Sequence, residues 1–141
     1  MDRLFLYGTL QPDLAPPAIA SVAARLQLVG PGTARARLLD LRRYPAATLE
    51  AGTVVGRVFE VPDQTLWARL DAYEGFDPND VAHSLFRRVL VEVTMDAGAL
   101  ECWMYVWNRA TKGLARWPDG VAWAPRATKV LSSQAESFTK L

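Results

Sequence analysis

Glu74 stands where a carboxylate is poorly suited for stability, and that misfit is the first sign of chemistry in the chain. The segment Leu70-Asp71-Ala72-Tyr73-Glu74-Gly75-Phe76 reads as the end of a helix, with Leu66, Trp67, Leu70 and Tyr73 as its buried stripe and Gly75 as its C-terminal cap. A helix C-terminus carries partial negative charge, and an aromatic on each side withdraws Glu74 from water, so both effects favour the protonated carboxyl. Lys or Arg would serve stability better here, whereas a general base working near neutral pH is helped by such surroundings. The second candidate is backbone. Leu4-Phe5-Leu6-Tyr7-Gly8-Thr9-Leu10 reads as a strand buried on both faces that ends in a turn at Gly8. Without a Cβ, Gly8 lets a ligand come close, and the amides of Thr9 and Leu10 can converge on a carboxylate or a developing oxyanion. Taken alone, the stretch also reads as an ordinary core strand and its turn.

Cys102 and His83 are the remaining groups with intrinsic reactivity, and they offer a weaker option, a thiol hydrolase. Cys102 falls in an apolar strand where a packed, inert thiol is expected, and His83 falls in a polar loop where a solvent-facing ring is expected. One cysteine excludes an intrachain disulfide, and one cysteine with one histidine leaves no Cys/His cluster for zinc. The formal net charge is +1 and the 13 arginines are scattered from Arg3 to Arg126, so no nucleic-acid partner is implied. No apolar run reaches the roughly 18 residues that a membrane span needs, and Leu10 runs straight into Gln11-Pro12-Asp13, unlike a signal peptide. No membrane partner is expected, and a reducing, cytoplasmic setting is the default. At 141 residues, half of them hydrophobic, the chain is expected to form a single domain over 1–141, with a weakly helical, Ser-rich tail from about residue 126 lying at its periphery.

The elements that must position these groups follow from periodicity. Pro17 to about residue 28 reads as an Ala-rich helix broken by Gly30-Pro31-Gly32. Residues 33–41 read as a strand entering the core, with Arg35 and Arg37 facing solvent, and Arg42-Arg43-Tyr44-Pro45 as a loop. In it Tyr44 either lines a pocket or lids the core. Thr53–Val61 is a strand in which Gly56 marks a bend or a place where another backbone comes near. Pro62-Asp63 opens the second helix, with Asp63 as N-cap. Leu85–Met95 alternates cleanly, placing Phe86 and Arg88 on one face, and a hairpin at Asp96–Ala99 returns it antiparallel as Leu100–Trp107. Trp117 and Trp123 lie among loop residues, either covering one end of the sheet or closing over a pocket.

Tyr7-Gly8-Thr9-Leu10, followed in order by Pro45 after Tyr44, the strand Val55-Gly56-Arg57-Val58-Phe59, the segment Leu70–Gly75, Phe86-Arg87-Arg88 and Tyr105, resembles the gamma-glutamylcyclotransferase superfamily. The AIG2-like branch, which includes gamma-glutamylamine cyclotransferases, is the nearest match. The resemblance implies an α+β fold, a small mixed β-barrel with a few packed helices. It also implies a small-molecule gamma-glutamyl substrate and release of 5-oxoproline with a free amine or amino acid. Carried over by residue, Glu74 matches the acid/base and Tyr7, Gly8, Thr9 and Leu10 match the loop that holds the glutamyl group, with Arg88 and Tyr105 assigned to substrate binding. No cofactor is called for, because the substrate brings its own nucleophile, and a monomer or weak homodimer is expected. Two positions depart from the family: Phe86 replaces a frequent Tyr, and Gln11 replaces a basic residue after the first motif. Both bear on the substrate more than on the reaction. An idle barrel of the same fold that binds a small ligand or a protein is the alternative.

Overall fold

Short β-branched and aromatic runs joined by tight turns make this mainly a strand protein. The computed structural model describes residues 1–125. In chain order it contains β1 (Asp2–Leu6), α1 (Pro17–Ala23), β2 (Gln27–Asp40), β3 (Pro45–Val61), α2 (Leu66–Tyr73), a 3-10 turn (Val81–His83), β4 (Phe86–Met95), β5 (Gly98–Trp107) and the short β6 (Ala115–Arg116). β1 lies between β3, antiparallel, and β5, parallel, meeting the latter at Leu4↔Trp103. β5 returns antiparallel to β4 as predicted, β4 meets β2 at Thr33↔Thr94 and Ala34↔Val93, and β2 pairs with β3 to close a ring of five strands. β6 attaches to β2 outside the ring. The α+β class and mixed sheet are as expected. The barrel is observed as a ring of strands, joined only briefly at β1–β5 and β2–β4.

Side-chain alternation sorts the core into two bodies. Leu4 and Leu6 of β1 join Ile19, Val22, Leu66 and Leu70 in the layer beneath the two helices, while Phe5 and Tyr7 join Val58, Met104 and Val106 among the strands. β1 is thus buried on both faces, as its apolar run requires. The same alternation puts Phe86 with the helices and Val93 with the strand cluster. Trp123 is buried in the strand cluster and Trp117 packs on it, with ring centroids 6.4 Å apart, so the aromatic tail covers one face of the sheet. The expected peripheral, weakly helical segment from residue 126 lies outside the described residues. Among the described residues, no helix is long and apolar enough to cross a membrane.

Three boundaries differ from the sequence reading, each for a packing reason. α1 ends at Ala23, and Gly30-Pro31-Gly32 lies inside β2 instead of breaking a helix. A Cβ on Gly32 would stand 2.7 Å from Val93 Cγ1, so the glycine lets β4 side chains lie across β2, while a register shift between Leu28 and Gly30 absorbs the irregular step. β3 begins at Pro45, not Thr53, because Pro45, Ala46 and Ala47 pair with Asp40, Leu39 and Leu38. Arg35 is exposed as expected, whereas Arg37 is half-buried and approaches Glu50 at 3.9 Å. At Gly56 a Cβ would fall 2.3 Å from the Leu6 carbonyl oxygen, which bears out the close backbone approach read from that glycine.

Candidate active site

Helix α2 carries the candidate base and is anchored at both ends. Its helical residues start at Leu66, later than Asp63 as N-cap would imply, yet Asp63 still organises the entry: its Oδ1 accepts from Thr65 N at 2.9 Å, and its carbonyl accepts from Leu66 N. At the other end Gly75 N donates to Ala72 O and Phe76 N donates to Asp71 O, with Gly75 at φ 66°. That pair of bonds is the glycine-capped helix end the sequence predicts, and it turns the chain so that Glu74, the last residue in helical conformation, points inward. Glu74 is only 3% exposed.

Phe5, Leu6, Tyr7, Gly8, Thr9, Leu10, Glu74 and Tyr105 line one small cavity of about 10 Å³. The structure therefore brings together Glu74, all four residues of the first motif, and Tyr105. The volume matches about one water molecule. The phenols of Tyr7, Tyr44, Tyr73 and Tyr105, which are the four tyrosines of the chain, all lie within the field of Glu74. Burial pushes each phenol up and the carboxylate adds to the effect; Tyr73 reaches about 12, even with its Thr9 hydrogen bond pulling it down. All four hydroxyls consequently stay protonated at neutral pH, and Tyr7 and Tyr105 line the cavity as neutral groups.

Within this wall each residue already has work. The Tyr7 hydroxyl donates to Tyr105 O at 2.7 Å and accepts from Ala47 N at 3.1 Å, so it ties β1 to β5 and β3. Thr9 Oγ1 and the Tyr73 hydroxyl are hydrogen-bonded at 3.1 Å. Gly8 lines the cavity, and on its Cβ side it is fitted to Pro45: a Cβ there would stand 2.7 Å from Pro45 Cγ. Tyr44 is half-buried, packs against Phe86 at 6.0 Å between centroids, and joins the layer beneath the helices. It serves as a lid on the core while its phenol feels Glu74.

Arg88 is not among the lining residues. Its Nε and Nη2 donate to Asp71 Oδ1 and Oδ2 at 3.1 and 3.2 Å, and its guanidinium lies 4.2 Å from the Trp67 ring centroid and 4.8 Å from that of Trp103. Its bonds in this structure thus go to Asp71, where the sequence assigned it to substrate. Asp71 is what the sequence reading missed. It stands one turn before Glu74, and a second carboxylate in the last helical turn, disfavoured by the same dipole, was the available signal. Gln11 also has partners: Nε2 donates to Gly8 O at 3.2 Å and Oε1 accepts from Arg57 Nε at 2.7 Å, while Arg57 also pairs with Asp13. Gln11 is thereby held between the Gly8 carbonyl and an arginine that is itself paired with Asp13.

Cys102 and His83 are not brought together. Cys102 is buried in the strand cluster, where burial pushes its thiol up, and the side chain of His83 is 81% exposed on the 3-10 turn beside Asp80. His83 instead helps line a wider groove of about 730 Å³ on the outer side of α2, with Asp71, Phe76, Asp77 and Asp80; Glu74 does not line it. Among the described residues, no three His, Cys, Asp or Glu side chains gather as a metal site.

Comparison with known proteins shows the family of the chain. Residues 4–124 match the family model described as gamma-glutamyl cyclotransferase, AIG2-like. The gamma-L-glutamyl-butirosin B gamma-glutamyl cyclotransferase of Niallia circulans is 32% identical over 119 residues, covering 77% of this chain and 69% of that protein. An AIG2-like protein from mouse superposes with a TM-score of 0.65 at 18% identity, over 92% of this chain and 99% of its own. The YtfP protein of Escherichia coli superposes at 0.58 with 28% identity, over 84% and 93% of the two chains. The chain belongs to the gamma-glutamyl cyclotransferase, AIG2-like family, and with it to a class of enzymes.

Proposed function

We propose that this protein cyclises a gamma-glutamyl amine, with Glu74 as the shuttling acid/base. The observation that carries the reading is the shared cavity: Glu74, on the buried end of α2, lines the same small space as the turn Tyr7-Gly8-Thr9-Leu10. In the proposed reaction Glu74 removes a proton from the substrate α-ammonium, and the freed amine attacks the side-chain amide carbon. A ring C–N bond forms, the carbonyl oxygen takes up negative charge, and that charge is met by backbone N–H groups of the Gly8–Leu10 turn. The ring nitrogen, made cationic by the attack, gives up its second proton as collapse breaks the original amide C–N bond, and the leaving nitrogen takes up both protons through Glu74, giving 5-oxoproline and the free amine as its ammonium form. One carboxyl suffices because it relays the protons one at a time, each proton lost by the attacking nitrogen being gained by the leaving nitrogen. The neutral tyrosines around it supply a low-dielectric wall without adding charge. The Niallia circulans relative, whose name gives gamma-L-glutamyl-butirosin B as the compound it acts on, supports a gamma-glutamyl conjugate as the substrate class.

One observation favours a second reading, an idle ring of the same fold that binds a small ligand or a protein: a cavity of about 10 Å³ does not hold a glutamyl group without movement of its wall. Incubation with a panel of gamma-glutamyl amines, gamma-glutamyl amino acids and glutathione, followed by assay for 5-oxoproline, separates the two. Release from the amines is expected, and silence across the panel supports the binding protein.

A further inference from the structure

Asp71 has no part in the reaction as written, yet it is among the most heavily engaged side chains of α2. It is 7% exposed, accepts the Tyr105 hydroxyl at 2.5 Å, and takes both arms of Arg88. Arg88 belongs to β4 and Tyr105 to β5, so one carboxylate fastens the helix to two strands of the ring. The Arg88 guanidinium also lies over the rings of Trp67 of α2 and Trp103 of β5. The backbone of Asp71 is engaged as well, since its carbonyl accepts from Phe76 N and closes the turn that contains Glu74. Replacing a buried ion pair with apolar packing often costs nothing, so stability alone is a poor reason for this arrangement; a two-pronged carboxylate–guanidinium pair fixes orientation in a way that apolar contact does not.

We propose that Asp71 is a positioning residue for the cyclisation: clasped by Arg88 and Tyr105, it locks the last turn of α2 against β4 and β5 so that the Glu74 carboxyl, one turn on, stays registered with the Gly8–Leu10 turn. Tyr105 couples the clasp to the site directly, because the same side chain that donates to Asp71 also lines the cavity. The inference rests on Glu74 being the acid/base.

The test is steady-state release of 5-oxoproline by the full chain from whichever gamma-glutamyl amine of the panel turns over fastest, in D71N, Y105F, E74Q and D71N/E74Q. Asp71→Asn keeps the shape and removes the charge that Arg88 grips. It is expected to lower kcat about 10²-fold with KM within about threefold, the signature of a misplaced group and not of lost binding. Tyr105→Phe is expected to lower kcat about tenfold. Because Asp71 acts through Glu74, the double variant is expected to be no slower than Glu74→Gln alone. Wild-type kcat in D71N beside an inactive E74Q overturns the positioning role and leaves the acid/base reading intact, as does a further multiplicative loss in the double variant. Undiminished turnover in E74Q, or silence across the panel, overturns both. Should D71N fail to fold, Y105F carries the test, and wild-type kcat there overturns the proposal.

Discussion

Gly8 and Pro45 share one space: a Cβ on residue 8 would stand 2.7 Å from Pro45 Cγ and 2.9 Å from its Cδ. The turn after β1 and the start of β3 are therefore fitted to each other, and the glycine leaves room for the Pro45 ring. Gly8→Ala is expected to push the Pro45 ring aside at a cost of about 1–3 kcal/mol, since inserting a methyl group into packed surroundings forces backbone shifts. The displaced turn is expected to lower kcat as well. Urea denaturation and 5-oxoproline release measured on the same sample check this; an unchanged midpoint would mean that the wall yields.

Removing the cation from the clasp tests a different property of the same region. With side-chain exposures of 18% and 10%, Arg88 and Asp71 are both largely out of water. Arg88→Ala leaves a buried carboxylate without its cation, a change that typically costs about 3–5 kcal/mol. The double variant R88M/D71L, with neither charge, is expected to be more stable than R88A. Chemical denaturation of the three proteins decides it, and an R88A variant as stable as the parent would contradict a buried, mutually dependent pair.

High pH should unfold this protein through its tyrosines. Burial raises the phenols of Tyr7, Tyr73 and Tyr105 above the value of 10 they have in an unfolded chain, Tyr73 to about 12. Their contribution to stability is complete below pH 10 and is lost as pH climbs through the folded values. Each phenol that ionises on unfolding steepens the loss by about 1.4 kcal/mol per pH unit. Urea midpoints are expected to hold to about pH 10 and then fall, and Tyr73→Phe is expected to make the fall between pH 10 and 12 shallower. A flat profile through pH 11.5 in the parent would contradict the burial of these hydroxyls.

Periodicity disclosed the elements that depend on local pattern. The alternation of β4, the hairpin at Asp96-Ala97, the stripe of α2 and the glycine cap after Glu74 were all readable, because each obeys its own backbone geometry. The first part of strand β2, residues 27–32, was not, since a Gly-Pro-Gly run normally ends an element, and here it is kept extended by Val93 and Met95 packing over glycines from another strand. The site divides in the same way. Glu74 and the Tyr7–Leu10 turn were legible as a misplaced carboxylate and a glycine turn. The partner of Arg88 was not, because the alternation of β4 gives the face on which a side chain lies and says nothing about which group of α2 lies opposite. For the same reason the partner of Gln11, Arg57, 46 residues away, was not readable from the sequence.

The central claim is that the buried carboxyl of Glu74 moves the proton. The most direct measurement is the rate of 5-oxoproline release by Glu74→Gln, which keeps the volume and hydrogen-bonding capacity of the side chain and removes its basicity. Turnover is expected to fall about 10²- to 10⁴-fold, the range ascribed to a positioned acid/base, with the thermal midpoint little changed. A folded E74Q protein that releases 5-oxoproline at the parental rate would contradict the assignment.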